Sequence, residues 1–319
     1  MKKPLLILIL VFMLFLSSCS VNHELIDSYN EQELRSINLT KDNIKIMQLT
    51  DLHFTYGFDA LDKKTYKLLD NMFKKESPDV IVITGDLFMS ILAPKILKEF
   101  ISFMESYQIP WTITFGNHER EYHHITKIVK ILMEAKTNYL IFHYGPKLSL
   151  NNTHGYSNFK INVTINDVPF LNLYMLDSKD NRKDGVKNKR FPYDYLSVEQ
   201  VNWFKDEVSN DSVNSLAFMH MPLMQFLKYE GDDIREKMWP QGEDTGFFEA
   251  IIATNKKTMG VFVGHDHNNE FSFYYEGVLL AYGRSSGYNA YGTYEKGSRI
   301  IIVNSLYQLE TYLVGYQND

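Results

Sequence analysis

Ile44-Lys45-Ile46-Met47-Gln48-Leu49-Thr50-Asp51-Leu52-His53 decides the architecture: an apolar run of strand length delivers an Asp and a His just past its carboxyl end. The arrangement recurs. The run 80–83 leads to Gly85-Asp86, 111–115 to Gly116-Asn117-His118-Glu119, 216–219 to His220, and 261–263 to Gly264-His265-Asp266-His267. Short continuous apolar runs bounded by turn residues read as buried strands. Helical stretches alternate with the first of them. Tyr66, Leu69 and Phe73 recur at helical spacing over 62–75, and Pro78 ends that helix. Pro94 suits the first turn of a helix reaching 106, and 125–135 is helical again. Farther on, 159–165 and 170–176 read as a hairpin around Asn166-Asp167. Ser197 and Gln200 form a capping box for a helix over 197–208. The last third is largely strand, at 271–275, 278–282, 299–303 and 308–314. Such an order predicts an α/β fold of two packed sheets with helices outside, in one domain over 41–319. Open α/β sheets place their ligand crevices at the carboxyl ends of parallel strands, where all five clusters fall.

The 319 residues are 45% hydrophobic and 23% charged, an ordinary globular balance. Lys2 and Lys3 precede an apolar run over 4–16 and the small residues Ser17-Ser18-Cys19. A charged start, a short apolar stretch and small residues read as an export signal; the run is too short for a comfortable membrane span. Leu16-Ser17-Ser18-Cys19 resembles a bacterial lipobox, which implies a signal peptide over 1–18 and lipidation of Cys19, the only cysteine. The alternatives are an uncleaved anchor and an ordinary signal peptide with an incidental cysteine. Residues 19–40 read as a polar tether. Loss of 1–18 takes the net charge from −6 to −8, which argues against nucleic-acid partners and against membrane contact by overall charge. The expected location is therefore outside the cell membrane, at the cell surface or its periplasmic side, held by lipid.

Carboxylate, imidazole and amide oxygen are ligands of intermediate hardness that suit Mn, Fe, Zn or Co. Asp86 can bridge two such cations with its two oxygens, and Gly85 lets the chain turn tightly before it. Two cations that share a hydroxide can lower its pKa and neutralise a phosphoryl oxygen under attack. Asn117 adds a neutral ligand. His118 is then available to protonate a leaving alkoxide.

The order D-x-H, G-D, G-N-H-E, H, G-H-x-H resembles the calcineurin-like metallophosphoesterase superfamily, from Asn43 to about Val314. The resemblance implies an αββα sandwich with a dinuclear centre. One metal would take Asp51, His53, Asp86 and His267; the other would take Asp86, Asn117, His220 and His265. Residues 85–90 lack the added acid and Arg of the protein Ser/Thr phosphatases. Met89 stands where purple acid phosphatases carry Tyr, and His53 is a ligand they lack. Gly264–Asn269 with the later 282–288 segment is similar to a purple-acid-phosphatase-like, or Dcr2-type, branch. The implied activity is hydrolysis of phosphate mono- or diesters. The alternatives are a nucleotide phosphodiesterase or nucleotidase, or a binding lipoprotein that keeps the fold without the chemistry.

Several residues carry two readings. Glu119 either orients His118 or a metal-bound His, or leads a helix as a solvated acid. Asp266 turns its loop or supports a ligand. Arg284, bracketed by Gly and Ser, either grips a substrate phosphate or forms a salt bridge. The basic run 179–190 reads first as a solvated loop. Tyr288, Tyr291 and Tyr294 could wall a base or sugar, or pack on one another. His123, His124, His143 and His154 follow no ligand spacing.

Overall fold

The computed structural model describes residues 35–146, 148, 154–182 and 191–315. The expected signal peptide, Cys19 and most of the expected tether lie outside that range.

Two mixed sheets form the body. The five-stranded sheet is ordered β12-β11-β2-β3-β4, with β2 (Asn43–Leu49), β3 (Val80–Thr84) and β4 (Trp111–Thr114) parallel to one another. On its far side β11 (Gly297–Asn304) and β12 (Leu309–Gly315) run antiparallel. The seven-stranded sheet is ordered β1-β5-β6-β7-β8-β10-β9. In it β6 (Val168–Met175), β7 (Asn214–Phe218), β8 (Thr258–Val263) and β10 (Val278–Tyr282) are parallel neighbours. The edge strand β9 (Ser272–Tyr275) pairs antiparallel with β10, and β5 (Phe159–Ile165) antiparallel with β6. Every residue of β3 and β4 is buried, as expected of strands covered on both faces.

Helices α1 (Ala60–Glu76), α2 (Ala93–Glu105) and α3 (Ile125–Glu134) connect the strands of the smaller sheet. Aromatic rings seal that layer: Phe54 stacks on Tyr66 at 4.6 Å, and Phe100 meets Trp111 edge-on at 5.8 Å. Helices α4 (Val198–Asn210) and α5 (Phe247–Ala253) join a second core with Phe204, Phe247, Val261 and Leu280. Ser197 and Gln200 make both bonds of the capping box. Asn166 and Asp167 both take positive φ, 50° and 65°, the turn that a two-residue hairpin requires.

Two elements differ from expectation. Ile37–Leu39 is strand β1, parallel to β5, so the sheet begins inside the stretch read as tether. Its three residues are too few to show an alternation. Helix α5 is seven residues long and follows a left-handed Gly246, too short for helical periodicity to register.

Between the sheets the strand ends are joined by polar bonds. Gln48 Nε2 donates to the Val263 carbonyl at 2.9 Å, and Thr114 Oγ1 donates to that of Leu176 at 2.7 Å. The guanidinium of Arg120, in the 3-10 turn His118–Arg120, pairs with the buried carboxylate of Asp177 just past β6. Asp177 also accepts the Tyr156 and Lys179 amides at 2.7 and 2.9 Å. Arg120→Ala leaves that carboxylate buried without its cation and is expected to cost about 3 kcal/mol. The measurement is the urea midpoint, which falls with an unchanged slope.

Candidate metal centre

All five clusters sit where parallel strands end, and the turns there are strained. Asp51, His53, Asp86 and His265 adopt φ of 54°, 50°, 54° and 79°, a left-handed region costly for residues with a Cβ. Gly85, at φ +86°, has no alternative: a Cβ there would lie 2.5 Å from the Gly116 nitrogen. Gly116 approaches as closely from its side, since its Cβ would meet Asp86 Oδ1 at 2.3 Å.

These turns bring the expected ligand residues together. Asp51, His53, Asp86 and His267 form one group, and Asp86, His220 and His265 another; within each, one ligand atom per residue lies within 4.8 Å of the others. Asp86 belongs to both. Asn117 joins the second group, its Oδ1 3.2 Å from His220 Nε2.

The donor chemistry fits a metal. His220 Nδ1 bonds the Thr84 carbonyl at 2.8 Å, which assigns the proton to Nδ1 and leaves Nε2 as a lone pair in the neutral ring. That Nε2 faces Asp86 Oδ2 at 3.1 Å and His265 Nδ1 at 3.2 Å. In the other group His53 Nε2 and His267 Nε2 approach to 3.2 Å, and His267 Nε2 lies 3.3 Å from Asp51 Oδ1. Acceptors so crowded need a cation between them, and donors ~2.1 Å from a common ion have this spacing.

The electrostatics agree. Burial pushes His53 and His265 down to about 3, so their rings are neutral. At His220 burial opposes protonation, but Asp86 and Asp51 outweigh it and raise the group to about 10. Asp86 is held well below the carboxylate range against its burial, by His220 first. The carboxylates call for positive charge at this point, and a divalent ion supplies it to every donor at once.

His118 lines the same cavity, a recess of about 270 Å³. Its Nδ1 lies 2.6 Å from Glu121 Oε2 and its Nε2 3.9 Å from Asp86 Oδ2. Burial opposes a proton on this ring, but Asp86 and Glu121 raise its pKa above the ordinary histidine value. Glu121 escaped the motif reading, although its place three residues after His118 is a helical-turn spacing.

Glu119 takes neither expected role. It is buried, and its carboxylate accepts the amides of Leu87, Gly116 and Asp86 at 2.6, 2.7 and 3.1 Å. Asp266 accepts the Tyr282 hydroxyl at 2.6 Å and the Trp239 amide at 3.0 Å, so it holds a neighbouring loop. Arg284 is not among the residues lining the cavity. Its Nε donates to Glu270 at 2.6 Å and it reaches Glu295 at 3.3 Å, the salt-bridge reading. Residues 183–190 of the basic run lie outside the described residues; Lys179 pairs with Asp194 at 3.0 Å. His124 caps α3 and His154 meets Ser197 Oγ at 2.6 Å, both structural.

Of the three tyrosines, Tyr291 lines the cavity and stacks on His267 at 3.9 Å. Two further aromatics in the wall had no motif to reveal them. Tyr193 packs edge-on against His265 at 4.3 Å, and Trp239 meets Tyr193 at 6.4 Å.

The sequence profile of the calcineurin-like phosphoesterases matches residues 44–269. The chain is 27% identical over 311 residues to probable inactive purple acid phosphatase 29 of Arabidopsis thaliana, covering 82% of this chain and 76% of that one. It is 27% identical over 260 residues to phosphatase DCR2 of Saccharomyces cerevisiae, covering 71% of this chain and 44% of that one. A crystal structure of a dimetal phosphatase from Danio rerio has a similar fold, with TM-score 0.55 and 12% identity over 86% of this chain and 99% of that one. The matched span runs from the first strand–ligand unit through the last, and the chain belongs to the calcineurin-like phosphoesterases, a family of metal-dependent phosphoester hydrolases.

Proposed function

We propose that the chain hydrolyses phosphate mono- or diesters at a dinuclear centre, outside the cell membrane, on a lipid anchor at Cys19. The observation that carries the chemistry is the convergence of seven ligand-type side chains, five of which line one cavity together with His118. Some relatives are named inactive; here no residue of the expected set is replaced.

Asp51, His53 and His267 would hold one ion, Asn117, His220 and His265 the other, with Asp86 shared. When bound, the ions supply charge neutralisation at the phosphoryl oxygens and acidify a water. The rest falls to the protein. Glu121 accepts a hydrogen bond from the Nδ1–H of His118 and favours its imidazolium, whose Nε2 proton is then available to the departing alkoxide. Glu119 keeps the turns of Asp86 and Asn117 in register. The cationic Arg120 turns away to Asp177, so neutralisation of phosphate does not fall to it.

A nucleotide ester is the second reading, favoured by the aromatic wall of Tyr193, Trp239 and Tyr291. Ring stacking is worth about 1–3 kcal/mol per base.

Metal-loaded protein should hydrolyse p-nitrophenyl phosphate or its bis-ester, and Asp86→Asn should lose both the activity and bound metal. His118→Ala should slow alkyl phosphates by about 10²–10⁴ yet slow p-nitrophenyl phosphate little, since nitrophenolate leaves without a proton. Equal losses on both would remove His118 as the acid. For the second reading, Trp239→Ala should raise KM about tenfold for a nucleotide and not for glycerol phosphate. The anchor is tested separately: the chain should incorporate labelled palmitate in cells and Cys19→Ser should not, and equal incorporation by both would reject lipidation at that residue.

A further inference from the structure

Away from the metal centre, a groove of about 530 Å³ runs between α2 and α3. Pro94 and Ile101 of α2 and Ile131 of α3 give it an apolar lining. Lys98, Lys127, Lys130 and Lys136 surround that lining. Lys127 and Lys130 share a helix face by their spacing. Glu134 is the one acid among the lining residues, 3.8 Å from Lys130. On a chain of net charge −6, four lysines against one glutamate reverse the sign locally.

The surroundings extend the pattern. Just before α2, Ile91 is 67% exposed, and just before α3, Tyr122 is 48% exposed. His123 Nε2 contacts the Ile91 carbonyl at 2.7 Å and ties these two loops together. Both loops begin at residues of the metal centre, Asp86 and His118. Past the C-terminal end of α3, the Arg35 guanidinium donates to the carbonyls of Asn138 and Leu140. Those carbonyls lie two and four residues past Lys136.

We propose that this flank rests on an anionic phospholipid bilayer. The lysines would meet the lipid phosphates, while Ile91, Tyr122 and the groove lining would take up acyl-chain surface. Charge complementarity selects the occupant. Overall charge opposes membrane contact, so the interaction depends on the lysines being gathered on one flank. The proposal does not rest on ester hydrolysis.

The test uses the full chain as Cys19→Ser, partitioned between buffer and vesicles of phosphatidylcholine alone or mixed with phosphatidylglycerol. The apolar 4–16 stretch contributes to both vesicle types, so the readout is the preference for the anionic one. A lysine near an anionic surface contributes about fivefold in affinity. Charge reversal by K98E, K127E, K130E and K136E should lower the preference by at least about six-hundredfold. The same number of reversals elsewhere, K63E, K205E, K228E and K256E, should keep most of it, and a cooperative unfolding transition in each shows that it is folded. Equal losses in both variants would reduce the effect to net charge and overturn the proposal. So would an unchanged preference in the groove variant, which would leave the groove to another occupant such as residues 4–16.

Discussion

The centre depends on one buried carboxylate. Glu119 accepts three backbone amides, two from the turn after β3 and one from the turn after β4. Those turns carry Asp86 and Asn117, and they touch through Gly85 and Gly116 with no room for a side chain on either. Burial, and then Asp86, push Glu119 up to about 7, while amide donors at Leu87 and Gly116 pull the other way. A carboxylate in a dry site is tolerated where fixed dipoles surround it. Asp86, which belongs to both ligand groups, thus has its left-handed backbone held by a neighbour that belongs to neither.

The centre also concentrates opposing charge requirements in a small volume. Asp51 and Asp86 are both buried and both held below their ordinary pKa by neighbouring imidazoles, against the cost of burial. His53 and His265 are neutral for want of solvent. Such an arrangement is costly as an isolated protein core and consistent as a cation cage. Arg120 illustrates the complementary rule: buried like the ligands, it is neutralised by Asp177 across the sheet interface and so stays out of the cavity.

What could be read from the residues follows from distance along the chain. Each metal-ligand residue lies within a few positions of a buried strand, so a local apolar run announces it and the parallel sheets do the rest. Gly85 and the Asn166-Asp167 turn were legible because positive φ restricts residue type strongly. Glu121 was legible in principle by its spacing from His118. Tyr193 and Trp239 were not, because they reach the cavity from irregular segments that carry no period. Arg284 had a suggestive local setting, but its partners Glu270 and Glu295 are brought to it by the β8–β11 segment rather than by any motif. Strand β1 was missed because its partner β5 lies more than a hundred residues away.

The residues between and after the last two histidines reach outward. Asp266 accepts the Trp239 amide, and Asn269 Oδ1 accepts the amides of Arg235 and Glu236 at 3.0 and 3.2 Å. Glu236 returns the contact by accepting the Asn268 amide at 2.6 Å and the Tyr291 hydroxyl at 3.0 Å. The ligand loop and the aromatic wall are thus parts of one hydrogen-bonded unit. Binding free energies coupled through such a unit are reciprocal: if a ligand that orders Trp239 tightens the hold of His265 and His267 on an ion, the ion raises the affinity for that ligand by the same factor.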